Sequence, residues 1–234
     1  METVPPNTFA KKQMPNKSQW YPVILFSSVN SKVSSVLYKN ENYINILQVM
    51  IVKNRYFIAI VLPQPYYDQA TELKIHFKDH FRSKASLNSP PHITLHMPFE
   101  WRSDRENDLI QTLEKFSAKL SPAEVKLENF NCFEPRVIFI NVFHSKELND
   151  LQHQLRQFCK RELGLFNADY KDLPFHPHVT LAFRDLRKPE FIKAWEEFRT
   201  GKFEGAFLAT QICLLKHEDG KWNVFRELDL QSVS

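Results

Sequence analysis

Two short stretches, His92-Ile93-Thr94-Leu95 and His178-Val179-Thr180-Leu181, hold the side chains best suited to chemistry in this chain. Imidazole titrates closer to neutrality than any other side chain, so one ring can take a proton at working pH while another gives one. In-line displacement at phosphorus needs both services, one on the attacking oxygen and one on the leaving oxygen. A threonine hydroxyl beside each ring would hydrogen-bond the non-bridging phosphate oxygens as charge develops on them. A catalytic set of His92, Thr94, His178 and Thr180 requires neither a metal nor a nucleophilic side chain.

Each motif is bordered by β-branched and apolar residues and reads as a strand, on which alternate residues share a face. His92 then points with Thr94, and His178 with Thr180. The same alternation adds His96 to the first face and His176 to the second, as cleft-wall candidates for binding phosphate or base. Four histidines raise the question of zinc; the threonine two residues after each motif histidine argues against it. Tyr56, Phe99, Trp101 and Phe175 lie beside the motifs and are candidates for stacking on a base. Arg55, Arg102 and Arg136 are candidates for retaining RNA.

The surrounding pattern places these strands. An apolar run over 56–63 predicts a buried strand, and Tyr66, Ala70, Leu73, Phe77 and Phe81 predict a helix over 66–83. Pro90-Pro91 breaks the chain ahead of a strand over 92–99. Leu109, Leu113, Phe116 and Leu120 mark a second helix, which Pro122 ends, and Ala123, Val125 and Leu127 alternate as a strand. The pattern then restarts. A strand over 136–143 precedes a helix carrying Leu148, Leu151, Leu155 and Phe158, which stops before Gly164. A strand over 178–184 follows, then a helix opened by Pro189. The chain closes with a strand alternating Leu208, Thr210, Ile212 and Leu214, a turn at Glu218-Asp219-Gly220, and a return strand over 222–230.

The unit strand–helix–motif strand–helix–strand thus occurs twice, with the motifs 86 residues apart (178 − 92). Equivalent places in a duplicated fold can face each other across a pseudo-twofold axis, which would bring the motifs to one cleft. The expectation is an α+β, bilobal fold with lobes of about 51–133 and 134–234, two antiparallel sheets and outer helices.

Composition narrows the function classes. The 234 residues carry a net charge of +4, compatible with an anionic partner. Only 4 Gly are present, and neither G-x-x-x-x-G-K-[ST] nor G-x-G-x-x-G occurs, so the usual nucleotide cradles are absent. Cys132, Cys159 and Cys213 are odd in number and widely spaced, which favours reduced thiols and a cytoplasmic location. No run approaches the roughly 20 apolar residues of a membrane span. Lys11, Lys12 and Lys17 precede an apolar stretch over 20–29, but Pro22, Ser27 and Ser28 interrupt it and no cleavage site follows. Residues 1–50 are rich in Asn, Ser, Lys and Pro without periodicity. They read as a mobile extension, or as the product of a start-codon misassignment upstream of Met50.

On these residues the chain resembles the 2H phosphoesterase superfamily, in its 2′-5′ RNA ligase-like (LigT-type) branch, the RNA 2′,3′-cyclic phosphodiesterases. The resemblance rests on His92-Ile93-Thr94-Leu95 with Pro98 beyond it, on His178-Val179-Thr180-Leu181-Ala182, on the opening strand and on the closing Gly220-Lys221-Trp222 hairpin; it spans about 51–230. It implies a bilobal fold around a central cleft, a metal-free site, no cofactor, and action on 2′,3′-cyclic phosphates of RNA ends, with 2′-5′ joining or cleavage in some members. One departure is that Phe183, not arginine, follows Ala182; the arginine is Arg184, which strand alternation would turn toward the His178/Thr180 face. The substrate-binding candidates are therefore His96, His176, Arg184 and Tyr56. For the mechanism, His178 is taken as base and His92 as acid. The alternatives are a small-nucleotide or 2′-5′ oligonucleotide phosphodiesterase, or a non-catalytic RNA-binding protein on the same fold. A monomer acting on RNA ends or small cyclic-phosphate nucleotides, with no membrane partner, is expected.

Overall fold

Strands that are apolar on both faces need cover on both sides, and the architecture follows from how each side is covered. The computed structural model describes residues 52–166, 168 and 173–231, so the segment 1–50 that the sequence sets apart lies outside the described residues. Eight strands occur: β1 (Lys53–Val61), β2 (His92–Arg102), β3 (Ala123–Phe133), β4 (Val137–Val142), β5 (His178–Ala182), β6 (Glu204–Ala209), β7 (Gln211–Glu218) and β8 (Lys221–Asp229). The helices are α1 (Tyr66–Phe81), α2 (Glu106–Ser117), α3 (Lys146–Glu162) and α4 (Lys188–Phe198).

All eight strands form one antiparallel sheet in the order β6-β3-β4-β5-β2-β1-β7-β8. One continuous sheet therefore stands where two were expected. The reason is visible in β3, which hydrogen-bonds to β4 and β6, and in β7, which hydrogen-bonds to β1. Thus β3 of the first half pairs with strands of the second, and β7 of the second half pairs with a strand of the first. Hydrogen bonds therefore cross the point at 133/134 where the sequence pattern restarts.

The single terminal strand expected through Leu208–Leu214 is two strands, broken at Thr210. β6 lies at one edge of the sheet and β7 is seventh in order. One residue spans less than 4 Å, whereas strands neighbour each other at about 4.8 Å. A flat sheet could not accommodate that link, so the sheet curls until its β6 edge approaches β7. Hydrogen bonds from Leu230 N to Thr210 O (2.8 Å) and from Gln231 N to Leu120 O (2.8 Å) tie the same region.

All four α-helices among the described residues cover one face. Ala70, Phe77 and Phe81 of α1, Leu109 and Leu113 of α2, Leu148, Leu151 and Leu155 of α3, and Phe191, Ala194 and Phe198 of α4 join one core. Into it project Tyr56, Ile58 and Ile60 of β1, Ile93 and Leu95 of β2, and Val179 and Leu181 of β5. Local signals set the ends. Ser145 caps α3, its Oγ accepting from Leu148 N at 3.1 Å. Beyond α3, Gly164 adopts φ +65°, which turns the chain so that Leu165 N donates to Cys159 O at 3.0 Å.

The opposite face carries a smaller buried cluster of Phe57, Ala59, Cys213 and Leu215, with Val61 and Trp222 packed on it. No helix among the described residues contributes to this cluster, and none is long and apolar enough to cross a membrane. The motif polar residues lie on this second face.

Candidate active site

β2 and β5 are neighbours at the middle of the sheet, joined through the antiparallel pair Ile93↔Val179. Both residues of that pair point into the helix-covered core. One step to either side, the side chains point to the other face, with His92 opposite Thr180 and Thr94 opposite His178. Direct cross-strand neighbours have Cβ atoms about 5 Å apart, and diagonal ones about 7–8 Å. Each histidine therefore sits beside the other motif's threonine, and the two imidazoles occupy opposite corners of a small quadrilateral. A tetrahedral group placed between them would meet one ring from each side and a hydroxyl at each remaining corner.

Both rings are held alike. His92 Nδ1 lies 2.7 Å from Pro90 O, and His178 Nδ1 lies 2.7 Å from His176 O. A carbonyl only accepts, so Nδ1 carries the proton in each ring and Nε2 is left with the lone pair for proton transfer. A phenylalanine ring supports each histidine: Phe57 at 4.8 Å from His92, and Phe139 at 4.9 Å from His178. Phe133 stands edge-on to His178 at 5.3 Å. Such apolar contact disfavours the imidazolium. Burial, helped by the Lys74 ammonium and by His178, pushes His92 down to about 3 against the pull of its Pro90 hydrogen bond. Burial and the neighbouring His176 ring also hold His178 below its ordinary value, opposed by the hydrogen bond to His176 O. Both rings are therefore neutral near pH 7.

His92, Thr94, His178 and Thr180 thus meet on one face, and His176 joins them with its ring 6.1 Å from that of His178. Three other expectations are corrected. His96 does not share the face of His92. Thr94 pairs with Ala59 but His96 with Ile58, so β2 spends two residues on one step of β1, a bulge that turns His96 over. His96 is buried on the helix side, edge-on to Phe99 at 5.4 Å. Tyr56 is buried on that same side, its hydroxyl donating to the Glu106 carboxylate and its ring 5.9 Å from Phe99. β1 is apolar on both faces, so its sequence could not say which side Tyr56 takes. Arg184 lies beyond β5, which ends at Ala182; it adopts φ +56° and lays its guanidinium over Phe183 at 5.0 Å. Strand alternation no longer applies to an exposed residue in a turn.

Several residues around the site carried no motif. Phe133 and Phe139 surround His176 and His178, and His144 lies 5.4 Å from His176, helping burial to hold that ring's affinity for protons down. Trp222 meets Phe57 at 4.8 Å and receives the Arg55 guanidinium at 5.4 Å. The usable signal is a strand apolar on both faces, when the four α-helices among the described residues cover only one. No group of three or more His, Cys, Asp or Glu among the described residues is arranged to hold a metal ion.

Comparison with known proteins agrees with this fold. Residues 62–221 match the family model of the 2′-5′ RNA ligase superfamily. A protein of Geobacillus kaustophilus, "Putative phosphoesterase GK0864", is 27% identical over 174 residues, covering 73% of this chain and 93% of its own length. A Geobacillus thermodenitrificans protein of the same description is 29% identical over 139 residues, covering 58% and 76%. Among solved structures, TT0787 of Thermus thermophilus superposes with a TM-score of 0.58 at 21% identity, over 77% of this chain and all of that one (100%). Escherichia coli LigT complexed with 3′-AMP gives 0.54 at 22% identity, over 76% and 99%. The two structures share the fold, and the family model spans both His-x-Thr strands. The chain belongs to the 2′-5′ RNA ligase superfamily, among the 2H phosphoesterases that its paired motifs resemble.

Proposed function

We propose that this protein is a phosphodiesterase that opens 2′,3′-cyclic phosphates at RNA ends by His/His general acid–base catalysis. The observation that carries the reading is the diagonal placement of His92 and His178, each beside the other motif's threonine and each with Nδ1–H bound to a carbonyl. In the hydrolytic direction one Nε2 takes a proton from water as its oxygen attacks phosphorus. The P–O bond to the ribose 2′ oxygen breaks, and the second ring, protonated, gives its proton to that oxygen. Thr94 and Thr180 hydrogen-bond the non-bridging oxygens and stabilise the charge gained there. With a 5′-hydroxyl in place of water as the nucleophile and the ribose 3′ oxygen, rather than the 2′, as the leaving group, the same two rings would form a 2′-5′ phosphodiester, so ligation needs no additional groups.

The environment favours exchanging the roles assumed from sequence. Both rings rest neutral, and His178, without the Lys74 ammonium that bears on His92, is the ring an anionic phosphate protonates more readily, which suits it to the acid role and leaves His92 the base. The half-exposed Phe133 ring and Trp222 flank the histidines on either side and offer stacking surfaces for a base. Phosphoesterase relatives in the family support the reaction class. The test is a side-by-side assay of adenosine 2′,3′-cyclic phosphate, RNA with a cyclic-phosphate end, and a 2′-5′ dinucleotide, each with and without chelator. Turnover of the cyclic phosphates, unchanged by chelator, is expected. RNA binding without turnover of any of the three would instead identify a binding protein on this fold.

A further inference from the structure

Lys74 is an anomaly in the helix-covered core. It is 2% exposed, and its Nζ donates to Ser86 O and Ser89 O, each at 3.1 Å. An ammonium has three N–H groups, so one donor remains after those two. Burial alone, with no carboxylate nearby to offset it, pushes the amine down to about 7. A buried cation without a counter-charge is costly, and an anion reaching it would supply what the fold does not.

Such an anion has a place to sit. Lys74 floors a pocket of about 220 Å³ whose walls include Thr71, Asn88, Ser89, Lys221 and Asn223. That is room for about seven waters, or for one phosphate group with part of its hydration. The pocket offers a second ammonium from exposed Lys221, amide donors from Asn88 and Asn223, and no acidic side chain. Pro90 and Pro91 form one wall and lead directly into His92; Pro90 O is the acceptor that holds the His92 ring. Trp222 forms another wall and touches Phe57, which in turn supports His92. The reaction centre and this pocket are therefore adjacent, on two sides of the Pro90–His92 backbone.

We propose that this pocket is a second anion site, which receives a phosphate group that the substrate carries in addition to the one attacked. The assignment of that phosphate to the substrate rests on the cyclic-phosphodiesterase reading; the anion site itself does not. Lys74 would give its remaining N–H to the phosphate while keeping the 86–89 loop in place, and Lys221 would close over it from the hairpin. Substrates with a phosphate on the 5′ oxygen, or with a further nucleotide there, belong to the favoured class.

The test compares adenosine 2′,3′-cyclic phosphate with the same nucleotide bearing a 5′-phosphate. In the wild type the 5′-phosphate is expected to raise kcat/KM by about tenfold or more, the size of one good charge-assisted hydrogen bond. In Lys221→Ala and in Lys74→Met that advantage should fall below about threefold, whatever happens to the rate on the simpler nucleotide. No advantage in the wild type, or the same advantage in the wild type and Lys221→Ala, overturns the proposal. Should the wild type cleave neither nucleotide, the reaction reading fails separately. The site is then tested by titrating inorganic pyrophosphate calorimetrically into His178→Ala protein with and without Lys221→Ala. Binding weakened about tenfold by the exposed Lys221→Ala change supports the site, and binding indifferent to it removes the site. That arm also holds if Lys74→Met does not fold.

Discussion

Acidification should destabilise this fold through His92, by an amount that can be worked out. The ring's folded pKa is pushed down to about 3 from an ordinary 6.5. The unfolded chain therefore binds the proton first, so the stabilisation is present above pH 6.5 and is lost as pH falls toward 3. Between pH 7 and pH 4.5 the loss runs over about two units, from 6.5 to 4.5. At about 1.36 kcal/mol per unit that is roughly 2.7 kcal/mol, and because the ring keeps some contact with water we take about 1.5 kcal/mol. Other groups titrate too: His178 acts in the same direction in this window, and Glu106, held below its ordinary value of 4.5, begins to lose stabilisation at its lower edge. The comparison must therefore be between proteins. His92→Gln removes the titration and keeps an amide that can donate toward Pro90 O. Urea unfolding followed by circular dichroism at pH 7.0 and 4.5 gives the loss for each. The wild type should lose about 1.5 kcal/mol more than His92→Gln. Equal losses in the two proteins would refute the reasoning that His92 is held neutral by its surroundings.

Two further changes test how the site is supported from the helix side. The Glu106 carboxylate accepts from the buried Tyr56 hydroxyl and pairs with Lys216 at 2.9 Å, so Glu106→Ala strands a buried hydroxyl and should cost about 2–3 kcal/mol in urea unfolding. At Gly205, a Cβ would stand 2.3 Å from Tyr66 Cε1, while the Tyr66 hydroxyl both donates to Ala206 O (3.2 Å) and accepts from Ala206 N (3.1 Å). Gly205→Ala should therefore displace that ring and lower stability by about 1–3 kcal/mol, seen as a fall in Tm.

Much of this arrangement could be read from residue types. The helix faces of Ala70, Phe77 and Phe81, and of Leu148, Leu151 and Leu155, lie at helical spacing because each helix has one sheet to cover. His92 and Thr94 share a face, as do His178 and Thr180, because nothing disturbs alternation within three residues of a strand. Longer extrapolation failed where the backbone departs from a regular strand. The bulge between Thr94 and His96 and the left-handed turn at Arg184 each cancel the alternation on which two substrate-binding candidates rested. Neither has a strong local signal: no glycine marks the bulge, and Arg184 is an unusual residue for a positive φ. The single sheet was hidden for another reason. Pairing of β3 with β6 and of β7 with β1 is non-local, and a repeat in sequence is equally compatible with two closed lobes or with strands exchanged between halves. Lys74 stood unmarked on the apolar side of its helix, where only the contacts of its Nζ distinguish a buried ammonium from a solvated one.

The most direct test of the central claim is the turnover of adenosine 2′,3′-cyclic phosphate by His92→Ala and His178→Ala, each shown by circular dichroism to be folded. Loss of either ring should lower kcat by at least about 10²-fold, the low end for a missing general acid or base, with neither variant retaining the other's share. Turnover close to the wild-type rate in either variant would contradict a mechanism built on the two histidines.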